Sequence, residues 1–265
     1  MKIFKFWIIS FLLIAPVTSQ AAFDLSILNA SNLNNVLPDD VASAAIKTFG
    51  IYFTHRPYQG ATSIYGRGSL EMNFEVTMVK ISNELNDALI ANGLSSNTSS
   101  ETAALPILKL NFRKALSPGA DLGFSGIYYQ GQYAIGTDIK FVLSNPEEGI
   151  TTALRLGYSY ATASILYLKS VTVLSPEFVM SRRIESAEPY LGFGGRYITG
   201  TISVPFELPP AGAGTVEKGG TGFTAYAFTG VNFQILGPKG FRFGMEGTYD
   251  ISGFSSIGTT FGIGF

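Results

Sequence analysis

The chain has 265 residues, a formal net charge of −1 and no cysteine. The near-neutral charge gives no electrostatic case for nucleic-acid binding, and the lack of cysteine excludes a disulfide framework. Charged residues make up only 14% of the chain and hydrophobic residues 46%, whereas ordinary globular domains carry about 25% charged residues.

The N-terminus has the pattern of a secretory signal peptide. Two lysines among the first five residues precede an apolar run over residues 6–17, which ends in the sequence Ser19-Gln20-Ala21-Ala22. This run is shorter than the roughly 20 residues that a membrane-spanning helix needs, and small residues of this kind are typical of a cleavage site. We therefore assign residues 1–21 to a signal peptide and expect an exported protein.

After this leader, no stretch has the length and apolarity of a spanning helix, although aromatic residues reach 13%. In hydrocarbon, every backbone polar group must be satisfied within the protein, which only helices and closed barrels achieve. An apolar exported chain without spanning helices therefore points to a closed β-barrel. The 30 glycines suit tight turns and a crowded interior.

Residues 22–67 differ from the rest of the chain. The stretch 29–35 is polar and rich in asparagine, which predicts a loop. Pro38 and two acidic residues then open a short predicted helix, which Gly50 ends. The sequence leaves two roles for this segment, a periplasmic extension or a plug within the barrel.

From residue 68 onward, the sequence predicts ten strands whose lengths of about ten residues or more match tilted transmembrane strands. They cover residues 68–81, 105–116, 120–129, 132–143, 150–161, 170–184, 189–203, 221–236, 241–251 and 254–265. Eight or twelve strands remain open, because Pro176 could divide the sixth strand and residues 50–54 could add another. The predicted fold class is all-β, an antiparallel transmembrane barrel over residues 68–265 preceded by a short helical and loop segment.

The predicted connections differ in length on the two sides of the barrel. If the C-terminus is periplasmic, short junctions at residues 117–119, 145–149, 185–188 and 237–240 lie on the periplasmic side. The other side receives the connections 82–104, 162–169 and 204–220, the first with a helical pattern at Leu85, Leu89 and Ile90. Short periplasmic turns and longer extracellular loops are typical of bacterial outer-membrane barrels.

Alternation along the strands separates a large apolar face from a small charged one. In the ninth predicted strand, Phe241, Phe243, Met245, Tyr249 and Ile251 alternate with Arg242, Gly244, Glu246, Thr248 and Asp250. The pattern alone also fits a soluble barrel with an apolar interior. The glycine-rich charged face and the tyrosines near strand ends favour a membrane barrel with its charges inside.

The inward face would then carry charges of both signs in near balance. The acidic set is Glu71, Glu75, Asp121, Asp138, Glu246 and Asp250, and the basic set is Lys109, Arg113, Lys140, Arg155, Arg183, Arg196 and Arg242. Cross-strand pairs of Glu71 and Glu75 with Lys109 and Arg113 are expected, at roughly 0.2–1 kcal/mol each. Two interpretations stay open, a salt-bridged core that closes the barrel and a narrow selective conduit, since about eight strands enclose a filled interior and about 16 a pore.

No pattern in the sequence indicates an enzyme. Outer-membrane proteases, deacylases and phospholipases resemble one another in needing a histidine in the barrel wall to activate water or serine. The one histidine, His55, precedes the first predicted strand in a loop-like sequence, which predicts a surface residue. With no metal-ligand spacing, nucleophile elbow or phosphate-binding loop either, we expect no catalytic, metal or cofactor site.

The last predicted strand ends the chain on an aromatic residue. Its bulky residues Ile257, Thr259, Phe261, Ile263 and Phe265 alternate with Gly258, Thr260, Gly262 and Gly264. This tail resembles the terminal strand of Gram-negative outer-membrane β-barrels, whose closing aromatic is part of the signal read by the barrel-assembly machinery. The resemblance implies an outer-membrane location and an assembly signal at Phe261, Ile263 and Phe265.

Together these features predict an integral outer-membrane protein with a monomeric barrel, in contact with outer-membrane lipid. We expect a non-enzymatic protein that is either structural or a narrow passive channel for small solutes. The alternative is a surface-exposed binding or adhesion barrel that acts on a surface ligand through the connections 82–104 and 204–220.

Overall fold

The structure is a computed structural model, and it describes residues 38–64, 70–80, 84–91, 104–129, 132–144, 149–163, 167–208, 212–235 and 240–265. The predicted signal peptide and the predicted asparagine-rich loop at 29–35 lie outside the described residues.

Ten strands close into one antiparallel barrel, as the sequence predicts. They are β1 Leu70–Lys80, β2 Ala104–Ser117, β3 Ala120–Tyr129, β4 Gln132–Ser144, β5 Thr151–Ala163, β6 Leu168–Ser181, β7 Ala187–Leu208, β8 Gly212–Ile235, β9 Phe241–Asp250 and β10 Ser255–Gly264. Each strand pairs with its neighbours in sequence, and β1 also pairs with β10 to complete the ring. The predicted all-β fold class is therefore confirmed.

The faces of the barrel are those of an outer-membrane barrel. Large apolar side chains point outward, so that Phe74, Leu108 and Ile257 are 51%, 62% and 59% exposed. The adjacent residues Glu75 and Lys109 point inward and are buried. Because an apolar exterior is stable only against lipid, the soluble-barrel arrangement is excluded and the predicted resemblance to outer-membrane barrels holds.

We name the two ends of the barrel by their connections. The turn rim carries the C-terminus and the junctions β2–β3, β4–β5, β6–β7 and β8–β9, and the loop rim is the opposite end. The amide of Phe265 donates to the carbonyl of Leu70 at 2.9 Å, so the first strand begins at the turn rim beside the last residue.

The described residues contain two helices, α1 Asp39–Phe53 and α2 Glu84–Ala91. Neither is long and apolar enough to cross a membrane. The prediction that Gly50 ends the first helix is wrong, as is the alternative of a strand at residues 50–54, because α1 continues to Phe53. A Cβ atom at Gly50 would lie 2.3 Å from Ile198 of β7, so this glycine permits close packing of the helix against the wall.

Helix α1 packs inside the loop rim, and the chain after it fills the lumen. Ile46 and Phe49 are buried with Ile198 of β7 in the largest apolar cluster. Residues 54–64, which we call the lumen segment, then run to the turn rim, where Ser63 donates to Asp121 at 2.6 Å near the start of β3. Of the two roles that the sequence leaves open for residues 22–67, the described part thus lies within the barrel.

Strands β7 and β8 extend far beyond the others at the loop rim. They contain 22 and 24 residues, and pairing is continuous from Ala187↔Phe233 to Leu208↔Gly212. The prediction of a loop over residues 204–220 is therefore wrong. Glycines and prolines obscure the alternation there, but both sides keep regular pairs because they form a two-stranded hairpin.

Two smaller predictions, about the β5–β6 connection and about Pro176, also differ from the structure. The predicted connection 162–169 is shorter, because β5 ends at Ala163 and β6 begins at Leu168. Pro176 does not divide β6. The β6–β7 register instead omits the residues between Leu174 and Glu177, since proline has no N–H to donate.

Candidate functional site in the barrel lumen

Twelve of the thirteen predicted lumen charges point into the barrel. Those that are buried are Glu71, Glu75, Lys109, Arg113, Asp121, Asp138, Lys140, Arg155, Arg196, Glu246 and Asp250, and Arg242 is half-buried. Arg183, which the sequence also placed in the lumen, instead lies beyond the end of β6 at Ser181 and is exposed. Charges this deeply buried need partners, since an unpaired one would be strongly destabilising.

The expected pairing between β1 and β2 is formed in part. Glu75 lies opposite Lys109, and their Oε1 and Nζ atoms are 3.2 Å apart. Glu71 lies opposite Arg113 but pairs with Arg242 of β9. The expected Glu71–Arg113 pair is therefore absent.

Arg113 instead reaches across β3 to Asp138 of β4, where their Nη2 and Oδ2 atoms are 2.5 Å apart. Gly123 of β3 lies under this path, and a Cβ atom there would be 2.6 Å from Nη2 of Arg113. A glycine on the intervening strand thus allows an ion pair that neighbour-to-neighbour reasoning cannot predict.

Further ion pairs complete the wall. Lys140 pairs with Asp121 at 3.1 Å and Arg196 with Asp250 at 2.7 Å. Arg155 pairs with Glu177 of β6, a lumen residue that sequence reasoning missed because Pro176 beside it made the strand ambiguous. Pairing of this kind makes the wall itself nearly neutral.

Arg56 is a second lumen residue missed by the sequence, which placed it in a loop. Its guanidinium pairs with Glu246 of β9, and its Nε lies 3.9 Å from Glu177. The same group stands 4.5 Å from the centre of the Phe228 ring. Arg56 is 5% exposed, so it anchors the lumen segment at the centre of the barrel.

His55 is buried, and its prediction as a surface residue is wrong. Its Nε2 lies 2.6 Å from Oδ1 of Asp138, and its backbone N–H donates to Oγ of Ser159 at 2.6 Å. A Cβ atom at Gly136 would lie 2.1 Å from Cβ of His55, so this wall glycine makes room for it. The Ser159 hydroxyl contacts the histidine backbone rather than its ring, which is not the contact between a nucleophile and its base.

Cationic wall residues bind the backbone of the lumen segment. Lys140 donates to the carbonyls of Gly60 and Thr62 at 3.2 and 2.7 Å. Arg155 donates to Pro57 at 3.0 Å in the same way. These bonds satisfy backbone groups that cross the barrel without strand partners.

Acidic wall residues bind the other side of the same segment. Glu188 accepts the backbone N–H of Thr62 at 3.2 Å, and Glu71 accepts the side-chain amide of Gln59 at 3.0 Å. The sequence placed Glu188 in a turn, because β7 begins at Ala187, two residues earlier than predicted. No group of three or more His, Cys, Asp or Glu residues in the described ranges could hold a metal ion.

The lumen segment leaves two clefts, which we call the turn-rim and loop-rim vestibules. The turn-rim vestibule is an open cleft of about 750 Å³, counted together with the solvent space at its mouth, and is lined by Glu71, Asn111 and Arg242, among others. The loop-rim vestibule, counted in the same way, is a cleft of about 450 Å³ and includes Lys109 and Asp250. Both extend along the inward faces of β1, β2, β9 and β10.

Tyr58 lies between the two vestibules, and among the described residues it alone lines both. Its hydroxyl lies 2.7 Å from Oγ1 of Thr77 on β1. A Cβ atom at Gly258 of β10 would lie 2.5 Å from the ring. The ring therefore extends from the lumen segment to the wall at the place where the vestibules approach each other.

No protein-family model matches this sequence, and no curated protein matches it. Solved structures that resemble the chain include three outer-membrane proteins. The KdgM porin has 10% identity and a TM-score of 0.37, covering 74% of this chain and 99% of the porin. The translocator domain of the autotransporter NalP from Neisseria meningitidis has 10% identity and a TM-score of 0.38, covering 83% and 93%.

The attachment invasion locus protein Ail of Yersinia pestis has 12% identity and a TM-score of 0.28, covering 73% of this chain and 94% of Ail. At these levels of identity and superposition, no substrate or partner transfers to this chain.

Proposed function

We propose that this protein is a non-enzymatic outer-membrane barrel that acts as a narrow passive conduit for small solutes. In the conformation described, the conduit is closed at Tyr58. The observation that carries the proposal is that the two vestibules lie toward opposite rims and that Tyr58, among the described residues, lines both.

The placement of the lumen segment supports a conduit beside it. Its bonds to Asp121, Asp138 and Ser181 attach it to β3, β4 and β6. Both vestibules reach the inward faces of β1, β2, β9 and β10, where the segment makes further bonds, among them that of Tyr58 to Thr77. Rotation of the Tyr58 side chain would break this bond and join the vestibules, while the other bonds keep the segment anchored.

The dimensions favour small solutes. A barrel of about eight strands is filled by its own side chains, and an aqueous pore needs about 16. Ten strands with an occupied lumen leave room for ions and small polar molecules. The paired charges along the wall give no reason for strong selectivity between cations and anions.

The proposal includes export and assembly through the outer-membrane route of Gram-negative bacteria. Residues 1–21 would serve as the cleaved signal peptide. Phe261 and Phe265 would be read by the barrel-assembly machinery, and their exposure of 43% and 53% on the outer face makes them accessible. Outer-membrane lipid would then cover the apolar exterior of the finished barrel.

Conductance in a planar bilayer tests the conduit. We expect the refolded chain from residue 22 to show rare or small openings, and Tyr58→Ala to show larger, persistent ones. Tyr197→Ala is the matched control, because this tyrosine is 52% exposed on the outer face and its truncation should leave conductance unchanged. A folded Tyr58→Ala barrel that conducts no better than the unmodified protein would instead support a closed structural core.

A second candidate, surface binding, is favoured by the β7–β8 hairpin. At about 3.4 Å per residue, strands of 22 and 24 residues extend well past the hydrocarbon layer. Shortening the hairpin between Ser203 and Glu217 should abolish the adhesion of expressing cells to protein-coated surfaces if binding is the function. Unchanged adhesion by cells that insert the shortened barrel normally would contradict this candidate.

A further inference from the structure

The start of α1 is exposed at the loop rim. Oδ1 of Asp39 accepts from Nζ of Lys218 at 2.7 Å, and Lys218 belongs to the part of β8 that extends past its pairing with β9. Further along α1, Nζ of Lys47 lies 2.8 Å from the carboxylate of Glu84 in α2. Helix α2 lies in the connection between β1 and β2, which is also at the loop rim.

From this start, the chain descends in order toward the other rim. The carbonyl of Thr54 accepts from Lys109 near the middle of β2 at 3.1 Å. The backbone N–H of Ile64 donates to Asp121 at the start of β3 at 3.2 Å. Strand β1 then begins at the turn rim, where Leu70 bonds to the last residue of the chain.

The lengths are sufficient for a complete crossing. A helix of 15 residues spans roughly 22 Å at 1.5 Å per residue. The extended residues 54–64 add up to about 36 Å at the reach of an extended chain. Together they exceed the roughly 30 Å of the hydrocarbon layer, so the described segment passes the whole thickness of the barrel.

We infer that the polypeptide enters its own barrel from the loop rim. Asp39 is therefore on the outer side of the membrane, opposite to the C-terminus. The barrel thus acts as a passage through which its own chain runs from the cell surface to the turn rim. This inference rests on the outer-membrane orientation proposed above and is independent of whether the lumen conducts solutes.

Single cysteines can test the inference, because the chain has none of its own. Asp39→Cys reports on the start of α1, since the side chain of Asp39 is 84% exposed. Glu217→Cys, at a side chain that is 49% exposed, reports on the loop rim alone. Arg182→Cys reports on the turn rim, where Arg182 is exposed after the end of β6.

Intact cells that express each variant are treated with a maleimide attached to a polyethylene glycol too large to pass a porin. We expect Asp39→Cys and Glu217→Cys to be labelled to the same extent, and Arg182→Cys to be labelled only after the outer membrane is permeabilised. Heat-modified migration on a gel confirms that each barrel is folded, and Asp40→Cys provides a second reporter if Asp39→Cys does not assemble.

Failure of the threaded path and failure of the proposed orientation give different labelling patterns. Labelling of Glu217→Cys but not of Asp39→Cys or Asp40→Cys on intact cells would overturn the threaded path while keeping the orientation. Labelling of Arg182→Cys but not of Glu217→Cys would show that the orientation is reversed, and it would overturn the outer placement of Asp39.

Discussion

Replacement of Arg56 by methionine should remove one anchor of the lumen segment and destabilise the barrel. Methionine keeps an unbranched side chain of similar length but removes the charge. Glu246, which is 2% exposed, would retain the hydroxyl of Tyr190 at 2.9 Å and lose its ion-pair partner. A buried carboxylate would then remain without a compensating charge.

The expected loss of stability follows from the burial of both Arg56 and Glu246. Removing one partner of a buried ion pair costs about 3–5 kcal/mol, and we expect Arg56→Met to lower the free energy of unfolding by that amount. Glu246→Gln should also be destabilising, because Arg56 would lose its nearer carboxylate and keep only Glu177 at 3.9 Å. The double variant lacks both charges and should cost only about 1 kcal/mol, the net value of an ordinary hydrogen bond.

Equilibrium unfolding in urea, followed by far-ultraviolet circular dichroism in lipid vesicles, measures this cycle. Tryptophan fluorescence is unsuitable because the single tryptophan is Trp7, within the predicted signal peptide. The control is Lys169→Met, which breaks an ion pair with Glu217 at side chains that are 56% and 49% exposed; exposed pairs contribute about 0–1 kcal/mol. If the two single effects simply add in the double variant, Arg56 does not lie against Glu246.

Three further changes test the lumen, the outer face and the C-terminus. Gly136→Ala should destabilise the barrel by about 1–3 kcal/mol through overpacking, since its Cβ atom would lie 2.1 Å from Cβ of His55. Gly126→Ala, with nothing within 4 Å, should be neutral in the same urea titration, and equal effects would contradict the position of the lumen segment. Phe243→Arg should lower stability in vesicles by about 2–4 kcal/mol if the side chain lies at mid-bilayer depth, and no loss at all would show that this face does not meet lipid. Deletion of Phe265 should slow assembly in a kinetic assay while leaving the unfolding free energy nearly unchanged, and normal kinetics would rule out its role as an assembly signal.

The strands were predictable because their signal is local. Alternation within each strand marks its two faces, and proline–glycine pairs such as Pro238 and Gly240 mark the short junctions. The inward direction of the charged face also followed, since glycines such as Gly244 and Gly258 fit only a crowded interior. Each of these features depends on neighbours within a few residues.

The lumen segment was not predictable, because its bonds are long-range. Arg56 and Glu246 are 190 residues apart in sequence, and His55 and Asp138 are 83 apart. The segment is neither a helix nor a strand, so neither the helical period of about 3.6 residues nor the strand period of two marks its faces. A sequence of this kind, with a histidine, an arginine, a proline and a tyrosine in a row, has the local character of any exposed loop.

The prediction of a loop at residues 204–220 was wrong for a different reason. Pro205 and several glycines are typical of loops, yet Pro205 pairs in register with Thr215. A proline lacks an N–H but is tolerated where that side of the strand has no partner. Beyond the ring of the barrel, both hairpin strands have a free edge, so the usual penalty does not apply.

The route of the lumen segment makes the protein a chain threaded through its own barrel. Residues 65–69 connect it to β1 at the turn rim, and a link of this length reaches at most about 18 Å. The segment therefore cannot leave through the loop rim while β1 stays paired with β2 and β10. It can leave only toward the turn rim, and then α1 and every residue ahead of it must be drawn through the ring. A folded module fused ahead of Asp39 would be too large to pass through the barrel. It would therefore hold the lumen segment in place without any added bond.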